Sequence, residues 1–390
     1  MGLGSNTSFH PPDFNDFYPN AFIYNNLRHF RPVLYGKFEI MRNSFIFVVI
    51  ATISPVAFAA GDDLPVLVYP SALAQLPPEV DGLLDDACWT DAPAASSFTV
   101  YRKPGRLAEA QTSFRVVYDR NNIYFGVSCD EPFAEGLGPR SVPHDSYDIF
   151  SQDGIEIFID PEHAHSVYYQ FASNLAGSIF DARKSQRTWD SRVRVGTRVG
   201  KDNWTVEMAI PWSDMGVKRP VSGMVVGFNV CRNRFRDGRK LSYWSHAPGF
   251  HYPGHFAHLV LSSTEKMLRD MEGDFRKGGR KGPIRIFNKL GYSNQTYVEL
   301  ARKALGDLDQ LIGELRSAAR SEKSERTKTE IEKYLVAIEK AILPHRDRLA
   351  GERPLDAARW ARLDVTLRQV VARIPTLLWD ARLASLLAEI

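Results

Sequence analysis

The chain has 390 residues, of which 24% are charged and 44% hydrophobic, and its formal net charge is +3. This ordinary globular composition suggests two domains, or one domain with appendages, and the small charge does not favour nucleic acid or an acidic membrane as a partner. Three widely spaced cysteines (Cys88, Cys129 and Cys231) exclude a disulfide-rich scaffold and a CxxC zinc cluster. They leave open one disulfide with one free thiol.

Residues 41–60 have the features of a signal peptide. Met41 and Arg42 give a basic start, 45–53 is an apolar run that is short for a membrane span, and 57–59 (Ala-Phe-Ala) is a small-x-small cleavage pattern. We therefore expect a signal peptide over about residues 41–59 and a secreted or periplasmic protein. Residues 1–40 are expected to be an upstream mis-start or disordered. The alternative is an uncleaved apolar segment, and no later segment is apolar enough to predict a transmembrane helix.

Residues 61–262 contain short alternating segments separated by turn residues, with no long helix between them. This spacing predicts a mainly β, antiparallel sandwich of about 200 residues. The predicted strands are 64–68, 113–118, 123–128, 155–160, 167–174, 178–181, 193–199, 204–210, 224–232, 241–244 and 256–261.

The strand at 155–160 has an unusual second face. Its isoleucines alternate with Glu156, Phe158 and Asp160, and a period of two places the isoleucines on one buried face and the other three on the opposite face. Carboxylates are poor strand formers, so that face or its ends are expected to serve a ligand. The alternative is the solvated face of an antiparallel sheet.

Several motifs recur in one order along 75–262, and together they resemble the family 9 carbohydrate-binding module and the wider group of DOMON-like, jelly-roll sandwiches. The motifs are Asp81-Gly82 with Ala87-x-Trp89; Tyr118-Asp119 with Ile123-Tyr124-Phe125; Asp153-x-x-Glu156-Ile157-Phe158-Ile159-Asp160; Gly177; Trp204-x-x-Glu207-x-x-Ile210-Pro211-Trp212; and Gly227-Phe228-Asn229-x-x-Arg232. Trp89, Trp204 and Trp212 are expected in the core.

The resemblance implies a sugar site in which two tryptophans clamp the end of a glycan while charged and amide groups bind its hydroxyls. Glu156 matches the binding glutamate, Asn174 the following asparagine, and Trp244 the second clamp tryptophan, although Trp244 reads equally well as core. Asn229 or Arg232 would supply a further contact.

Two positions depart from the family pattern. The first clamp tryptophan falls near Phe150, with Tyr147 as a substitute, and the family's arginine is Ala172 here. Loss of that guanidinium removes a charge-assisted donor that typically contributes about 1.5–3 kcal/mol.

Cofactor predictions are less specific. Calcium is often structural in such modules, but no acidic spacing here matches an EF-hand loop, so the metal site stays unknown. The oxygen-ligand candidates are Asp119, Asp130, Asp145, Asp148 and Asp160. A competing hypothesis, haem or metal binding in a redox-active DOMON-like protein, uses the nearby histidines His246, His251, His255 and His258.

Composition changes after residue 262. Residues 263–294, with a basic Gly-rich segment, predict a linker, and 295–390 predict an α-helical bundle or hairpin. Pro344 is expected to end the second helix and Pro375 to kink or break the third. The helices either cover their own apolar stripes or dock on a partner enzyme or a second copy.

The sequence as a whole predicts an extracytoplasmic carbohydrate-binding protein that holds poly- or oligosaccharide in support of glycoside hydrolases. It has no G-x-S-x-G, H-E-x-x-H or phosphate-loop motif and no marked carboxylate pair, so binding is favoured over catalysis. A third hypothesis is an interaction scaffold that has lost its sugar site.

Overall fold

The computed structural model describes residues 64–132, 134–236, 238–350 and 354–387. The expected signal peptide and the segment before it lie outside these residues. Within the described part of the chain no helix is long and apolar enough to cross a bilayer.

A β-rich part comes first and three long helices follow it. The strands are β1 Val66–Leu73, β2 Thr99–Val100, β3 Thr112–Tyr118, β4 Asn122–Asp130, β5 Gly154–Asp160, β6 Tyr169–Asn174, β7 Ile179–Arg183, β8 Arg194–Val199, β9 Asn203–Pro211, β10 Val225–Arg234, β11 Lys240–Tyr243, β12 Ala257–Leu261, β13 Ile284–Asn288, β14 Gly291–Tyr292 and β15 Gln295–Thr296. The α-helices are α1 Ala87–Asp91, α2 Glu265–Lys277, α3 Tyr297–Ser321, α4 Glu325–Ala350 and α5 Ala357–Leu387.

The strands hydrogen-bond in the order β7-β6-β5-β10-β12-β1-β3-β4-β9-β8. Side chains from both halves of this order share one buried cluster, with Phe114 and Val206 from one half against Ile157 and Phe228 from the other. The order is therefore folded on itself as a sandwich, as predicted. Trp89, Trp204 and Trp212 are buried, also as predicted.

Strand β1 joins the two halves of the sandwich. Its first part pairs in parallel with β12 and β13, and Ala72 and Leu73 then pair in parallel with β3. The predicted antiparallel pairing holds for the other strands but not for β1. The strand also continues through Pro70, where the proline-rich composition led us to end it at residue 68. Partners distant in sequence decide both features, so local alternation does not reveal them.

The segment 263–294, expected to be a linker, is folded. Thr264 caps α2 by accepting a hydrogen bond from the Met267 amide at 3.2 Å. One face of α2 carries Leu268, Met271 and Phe275, which pack on a buried cluster formed by β1, β12 and β13. These three residues are three and four positions apart, which is the spacing of one helix face. The many charged residues between them made this apolar pattern hard to recognise in the sequence.

The three C-terminal helices form a bundle with a common apolar core. Arg316 on α3 pairs with Glu339 on α4 at 2.6 Å, and the Tyr334 hydroxyl on α4 donates to the Val370 carbonyl on α5 at 2.5 Å. A capping box, Thr296 with Glu299, begins α3. The predicted bundle is thus present, with α4 antiparallel to α5, since Arg373 also pairs with Glu330.

Neither interior proline ends its helix. Pro344 lies inside α4, where we expected the helix to end, and Pro375 lies inside α5 without breaking it. A proline inside a helix costs about 3 kcal/mol because it removes a backbone hydrogen bond. Ile342, two residues before Pro344, and Ile374, next to Pro375, are buried in the bundle core, and this burial opposes that cost.

The cysteines form no disulfide. Cys88, Cys129 and Cys231 are all free thiols, and the last two are buried.

Candidate functional site

The outer face of the β7-β6-β5-β10 half carries some of the predicted site residues. Phe180, Ala172, Glu156 and Cys231 lie in register across these four strands. Glu156, Phe158 and Asp160 are each buried, so this face is covered rather than solvated. Phe250 and Phe256, from the chain that follows β11, pack on Phe158 and cover part of it.

Glu156 lies at the centre of this face and is held by two amides. The Asn233 side chain donates to Oε1 at 2.7 Å and the Gln170 side chain donates to Oε2 at 2.7 Å. Burial raises the pKa of Glu156 from 4.5 to about 7, although both amide bonds favour the charged form. Glu156 is only 3% exposed, so its side chain is part of the covered face and is not open to solvent.

Asn174 organises the loops at one end of the face. Its Oδ1 accepts the Ala176 and Ser178 amides at 3.1 and 3.0 Å, and its Nδ2 donates to the Arg140 carbonyl at 2.9 Å. A further bond joins Nδ2 to Gln152 at 3.3 Å. The side chain is fully buried, so its polar atoms position the neighbouring loops.

Trp244 points into the core. Its ring packs edge-on against Phe114, with ring centroids 4.9 Å apart, and lies 5.3 Å from Phe228, while its Nε1 donates to the Ser96 carbonyl at 3.2 Å. Of the two interpretations that the sequence left open for Trp244, this placement is the core one.

Asn229 and Arg232 are also buried, and both form hydrogen bonds within the protein. Asn229 forms bonds of 2.9 Å to both the amide and the carbonyl of Ser245, which ties β10 to the chain after β11. Arg232 lies between the sheets and donates to Glu131 at 3.1 Å. Arg234 shares that carboxylate at 2.6 Å. These contacts make both predicted residues part of the framework.

Tyr147 and Phe150 do reach the surface. They lie on a short 3₁₀ helix, Tyr147–Ser151, and both pack on Phe180 of β7, with ring centroids 5.7 and 4.8 Å apart. Tyr147 is 42% exposed, and the exposed Arg187 guanidinium lies 4.4 Å from its ring centroid. We call Tyr147, Phe150, Phe180 and Arg187 the Tyr147 surface.

A cleft of about 300 Å³ opens beside the Tyr147 surface. The Asp145 amide, two residues before Tyr147, donates to the Ile179 carbonyl at 3.2 Å and so connects the two features. The cleft is lined by His144, Gly177, Ile179, Ser191 and Val193. Its polar and apolar lining suits a partly hydrated ligand.

The acidic residues considered for calcium are dispersed. Asp119 closes its own turn by accepting the Asn121 and Asn122 amides, and Asp130 pairs with Arg362. Two groups of the described residues bring three metal-ligating side chains together, and both contain histidine: His144 with Asp145 and Asp181, and Asp160 with His163 and His165.

Three of the four histidines after β11 form side-chain hydrogen bonds to separate partners. His246 bonds the Tyr243 hydroxyl at 2.8 Å, His251 the Tyr168 hydroxyl at 3.0 Å, and His258 the His163 ring at 2.5 Å. Burial lowers the pKa of His251 to about 4 and that of His258 to about 3. The proposed haem or metal cluster among these four is therefore not assembled, whereas His163 and His165, which the sequence reading did not single out, are brought together.

The described strands form a mainly antiparallel β-sandwich. Residues 80–259, just under half of the chain, match the family model described as carbohydrate family 9 binding domain-like. This part of the chain is a family 9 carbohydrate-binding module-like domain, which confirms the resemblance read from the motifs.

Similar solved structures include a family 9 carbohydrate-binding module from Caldicellulosiruptor kristjanssonii. Its complex with cellotriose is 18% identical, with a TM-score of 0.38, and the match covers 51% of this chain and 95% of that one. Its complex with glucose is also 18% identical, with a TM-score of 0.38, and the match covers 50% of this chain and 97% of that one. A search of curated proteins found no match.

Two further residues contribute to this face and were not predicted from the sequence. Gln170 and Asn233 hold Glu156, and both lie on strands whose alternation was recognised. Strand alternation could have identified them. Gln170 is two residues from Ala172, and Asn233 is two residues from Cys231, so both lie on the same sheet face as Glu156.

Proposed function

We propose that the sandwich binds carbohydrate through the Tyr147 surface. The single observation that supports this is an exposed tyrosine, packed on a second aromatic layer, at the place where the family resemblance puts the first clamp aromatic. A tyrosine ring can cover the C–H face of a sugar while nearby polar groups pair with its hydroxyls. The ligand class is an oligosaccharide or a chain segment of a polysaccharide.

Arg187 supplies the charged donor in this proposal. Ala172 lacks the guanidinium that the family carries at that position, and Arg187 brings one to the same face from the loop after β7. Because Arg187 is exposed, it can leave the tyrosine face and donate to a sugar hydroxyl. Hydrogen bonds from a charged group contribute about 1.5–3 kcal/mol.

Glu156, Asn174 and Trp244 have an indirect part in the proposed site. Glu156 and Asn174 fix the sheet face and the loops beneath the Tyr147 surface, and Trp244 fills the core. One tyrosine-based platform replaces a two-tryptophan clamp, so we expect recognition of a sugar face rather than tight capture of a chain end.

We further propose that this protein works outside the cytoplasm and holds glycan for polysaccharide breakdown by separate glycoside hydrolases. The basic-apolar-small pattern over residues 41–60 supports the location. For the helical bundle, docking on a partner or a second copy is supported by exposed Trp379, Leu383 and Leu386, which follow one another at helical spacing on α5.

The test is calorimetric titration of the purified protein with glucose, cellotriose and a panel of other oligosaccharides, with affinity electrophoresis for polysaccharides. Tyr147→Ala is expected to weaken binding by about tenfold or more, which corresponds to about 1.4 kcal/mol. Tyr252→Ala is the matched control, because Tyr252 is 46% exposed and belongs to the loop that covers the other end of the face. No binding to any sugar, or equal loss in both variants, would contradict the proposal. A visible spectrum of the same sample tests the haem hypothesis.

A further inference from the structure

A cluster of metal-ligating side chains lies just after β5, on the same sheet face as the Tyr147 surface but at its opposite end. Asp160, His163 and His165 each present one metal-ligating atom, and these three atoms lie within 4.8 Å of one another. Asp160 is buried, His163 is half-buried and His165 is exposed. The cluster therefore runs from the sheet to solvent.

The Asp160 carboxylate is fixed in orientation by the loop itself. Its Oδ2 accepts the His165 amide at 2.7 Å and its Oδ1 accepts the Ala164 amide at 3.3 Å. Each oxygen retains a further lone pair, because a carboxylate oxygen can accept two bonds. Those lone pairs are available to a cation.

His165 is held by its other ring nitrogen. Nδ1 lies 3.1 Å from the Pro253 carbonyl oxygen, and because a carbonyl only accepts, Nδ1 carries the proton. Nε2 then keeps a free lone pair on the exposed side of the ring. Histidines that bind metals commonly donate their second nitrogen to a backbone carbonyl in this way.

His163 has one nitrogen engaged and one without a partner. Its Nε2 lies 2.5 Å from His258 Nδ1, whereas its Nδ1 is buried and has no hydrogen-bond partner among the described residues. A buried polar atom left without a partner costs about 1–3 kcal/mol. A ligand on Nδ1 would remove that cost.

The surroundings are shaped to admit the His163 ring. Gly227 pairs with Asp160 across β10 and β5, and a Cβ at residue 227 would lie 3.1 Å from His163 Nδ1. The backbone also adopts unfavourable angles here, since φ is +49° at His163 and +58° at His165. For residues other than glycine, the left-handed conformation costs roughly 1–2 kcal/mol.

We propose that Asp160, His163 and His165 bind one divalent transition-metal ion of the zinc class. Two imidazoles and one carboxylate suit zinc and its neighbours, whereas calcium prefers a cage of oxygen ligands. Three protein ligands leave a fourth position for water or an external ligand. His258 is a positioning residue that orients His163. The ion would fasten the loop after β5 to the loop carrying Pro253.

The test uses tag-free full-length protein stripped of metal, titrated with Zn²⁺ by calorimetry and with Co²⁺ by visible absorption. We expect one ion per chain and the d–d bands of low-coordinate cobalt. His165→Gly, which suits the left-handed backbone, and His163→Asn are each expected to weaken Zn²⁺ binding by about 100-fold. His258→Ala should weaken it by about 10–100-fold and shift the cobalt bands while one ion still binds.

Two histidine variants serve as controls. His345→Ala removes a half-buried imidazole from α4, and His144→Ala removes the histidine of the other acidic cluster. Both should bind Zn²⁺ as the unchanged protein does. Zn²⁺ should raise the Tm of the unchanged protein and of both controls, but not that of His165→Gly, because a ligand stabilises only the state that binds it. Absence of saturable Zn²⁺ and Co²⁺ binding, or one-to-one binding of full affinity in both His163→Asn and His165→Gly, would overturn the proposal.

Discussion

Arg362 on α5 and Asp130 at the end of β4 form a doubly hydrogen-bonded ion pair between the helical bundle and the sandwich. Arg362 Nε donates to Oδ2 at 2.7 Å and Nη2 donates to Oδ1 at 2.6 Å. Close by in the fold, the Ser96 hydroxyl donates to the Ala357 carbonyl at 2.8 Å, and the Tyr297 hydroxyl donates to the Ala94 carbonyl at 3.2 Å. The bundle is therefore docked on the sandwich.

This ion pair should contribute measurably to stability. Replacing Arg362 or Asp130 by Ala, singly and together, is expected to give a coupling energy of about 1 kcal/mol, because the geometry is bidentate although Arg362 is half-exposed. Urea unfolding of the four proteins measures it. The control is the pair of Arg368 with Asp364 within α5, whose expected coupling is about 0.3–0.5 kcal/mol. Equal coupling for the two pairs would show that interdomain docking does not depend on Arg362.

Gly82 is expected to be one of the least replaceable residues of the sandwich. Its φ is +88°, and a Cβ there would lie 2.5 Å from the Thr197 backbone carbon. Gly82→Ala should lower the free energy of unfolding by at least about 2 kcal/mol, from strain and overlap together. Gly216→Ala separates these effects, because Gly216 has φ of +81° but no described atom within 4 Å of an added Cβ. If both variants lose equal stability, overlap with Thr197 is not important.

Most of the motifs that identified the family consist of residues that hold the fold together. Glu207 Oε2 accepts the Gly82 amide at 2.9 Å, and its Oε1 accepts the Trp89 indole at 2.8 Å, so three motif residues form one buried connection. Connections of this kind have fixed residue identities, which is why the sandwich and its strands could be predicted from the sequence. Strand β1 could not, because it pairs with β12 and β13, about 200 positions away in the sequence, and helix α2 could not, because part of its packing surface is β1.

The site was harder to predict for a related reason. Periodicity placed Glu156 on the correct face, but only the three-dimensional structure shows that Gln170 and Asn233 bury it. Similarly, Trp244 follows β11 at a position compatible with either face, and the bond from its amide to the Val230 carbonyl at 2.9 Å fixes it inward. His163 and His258 are 95 positions apart in the sequence, so the contact between their rings could not be predicted from it.

Trp244 should therefore affect folding more than ligand binding. Trp244→Ala is expected to cost about 3–5 kcal/mol, because it empties a large volume between Phe114 and Phe228. The milder Trp244→Phe should keep the fold and leave sugar affinity unchanged. Trp379→Ala is the control for loss of an exposed tryptophan and should change stability by no more than about 0.5 kcal/mol. If the Trp244→Phe protein folds but binds sugar more weakly, Trp244 takes part in sugar binding and this prediction is wrong.

Glu156 should make stability depend on pH between about 4.5 and 7. Its folded pKa of about 7 lies above its ordinary value of 4.5, so in this interval the native state retains a proton that the unfolded state has released. The stabilisation is complete below pH 4.5 and is lost as the pH rises to about 7. The size of the loss is on the order of 3 kcal/mol.

Glu156→Gln isolates this effect, because an amide keeps the shape of the protonated carboxyl group but does not titrate. Burial also raises the pKa of Asp153, Asp181 and Glu207, so only the difference between the two proteins is informative. Chemical unfolding at pH 4, 5.5, 7 and 8 should show the variant gaining stability relative to the unchanged protein as the pH rises, and the difference should level off above pH 7. A difference that stays constant across the series would mean that Glu156 has the same pKa in the folded and the unfolded protein, and that burial does not raise it.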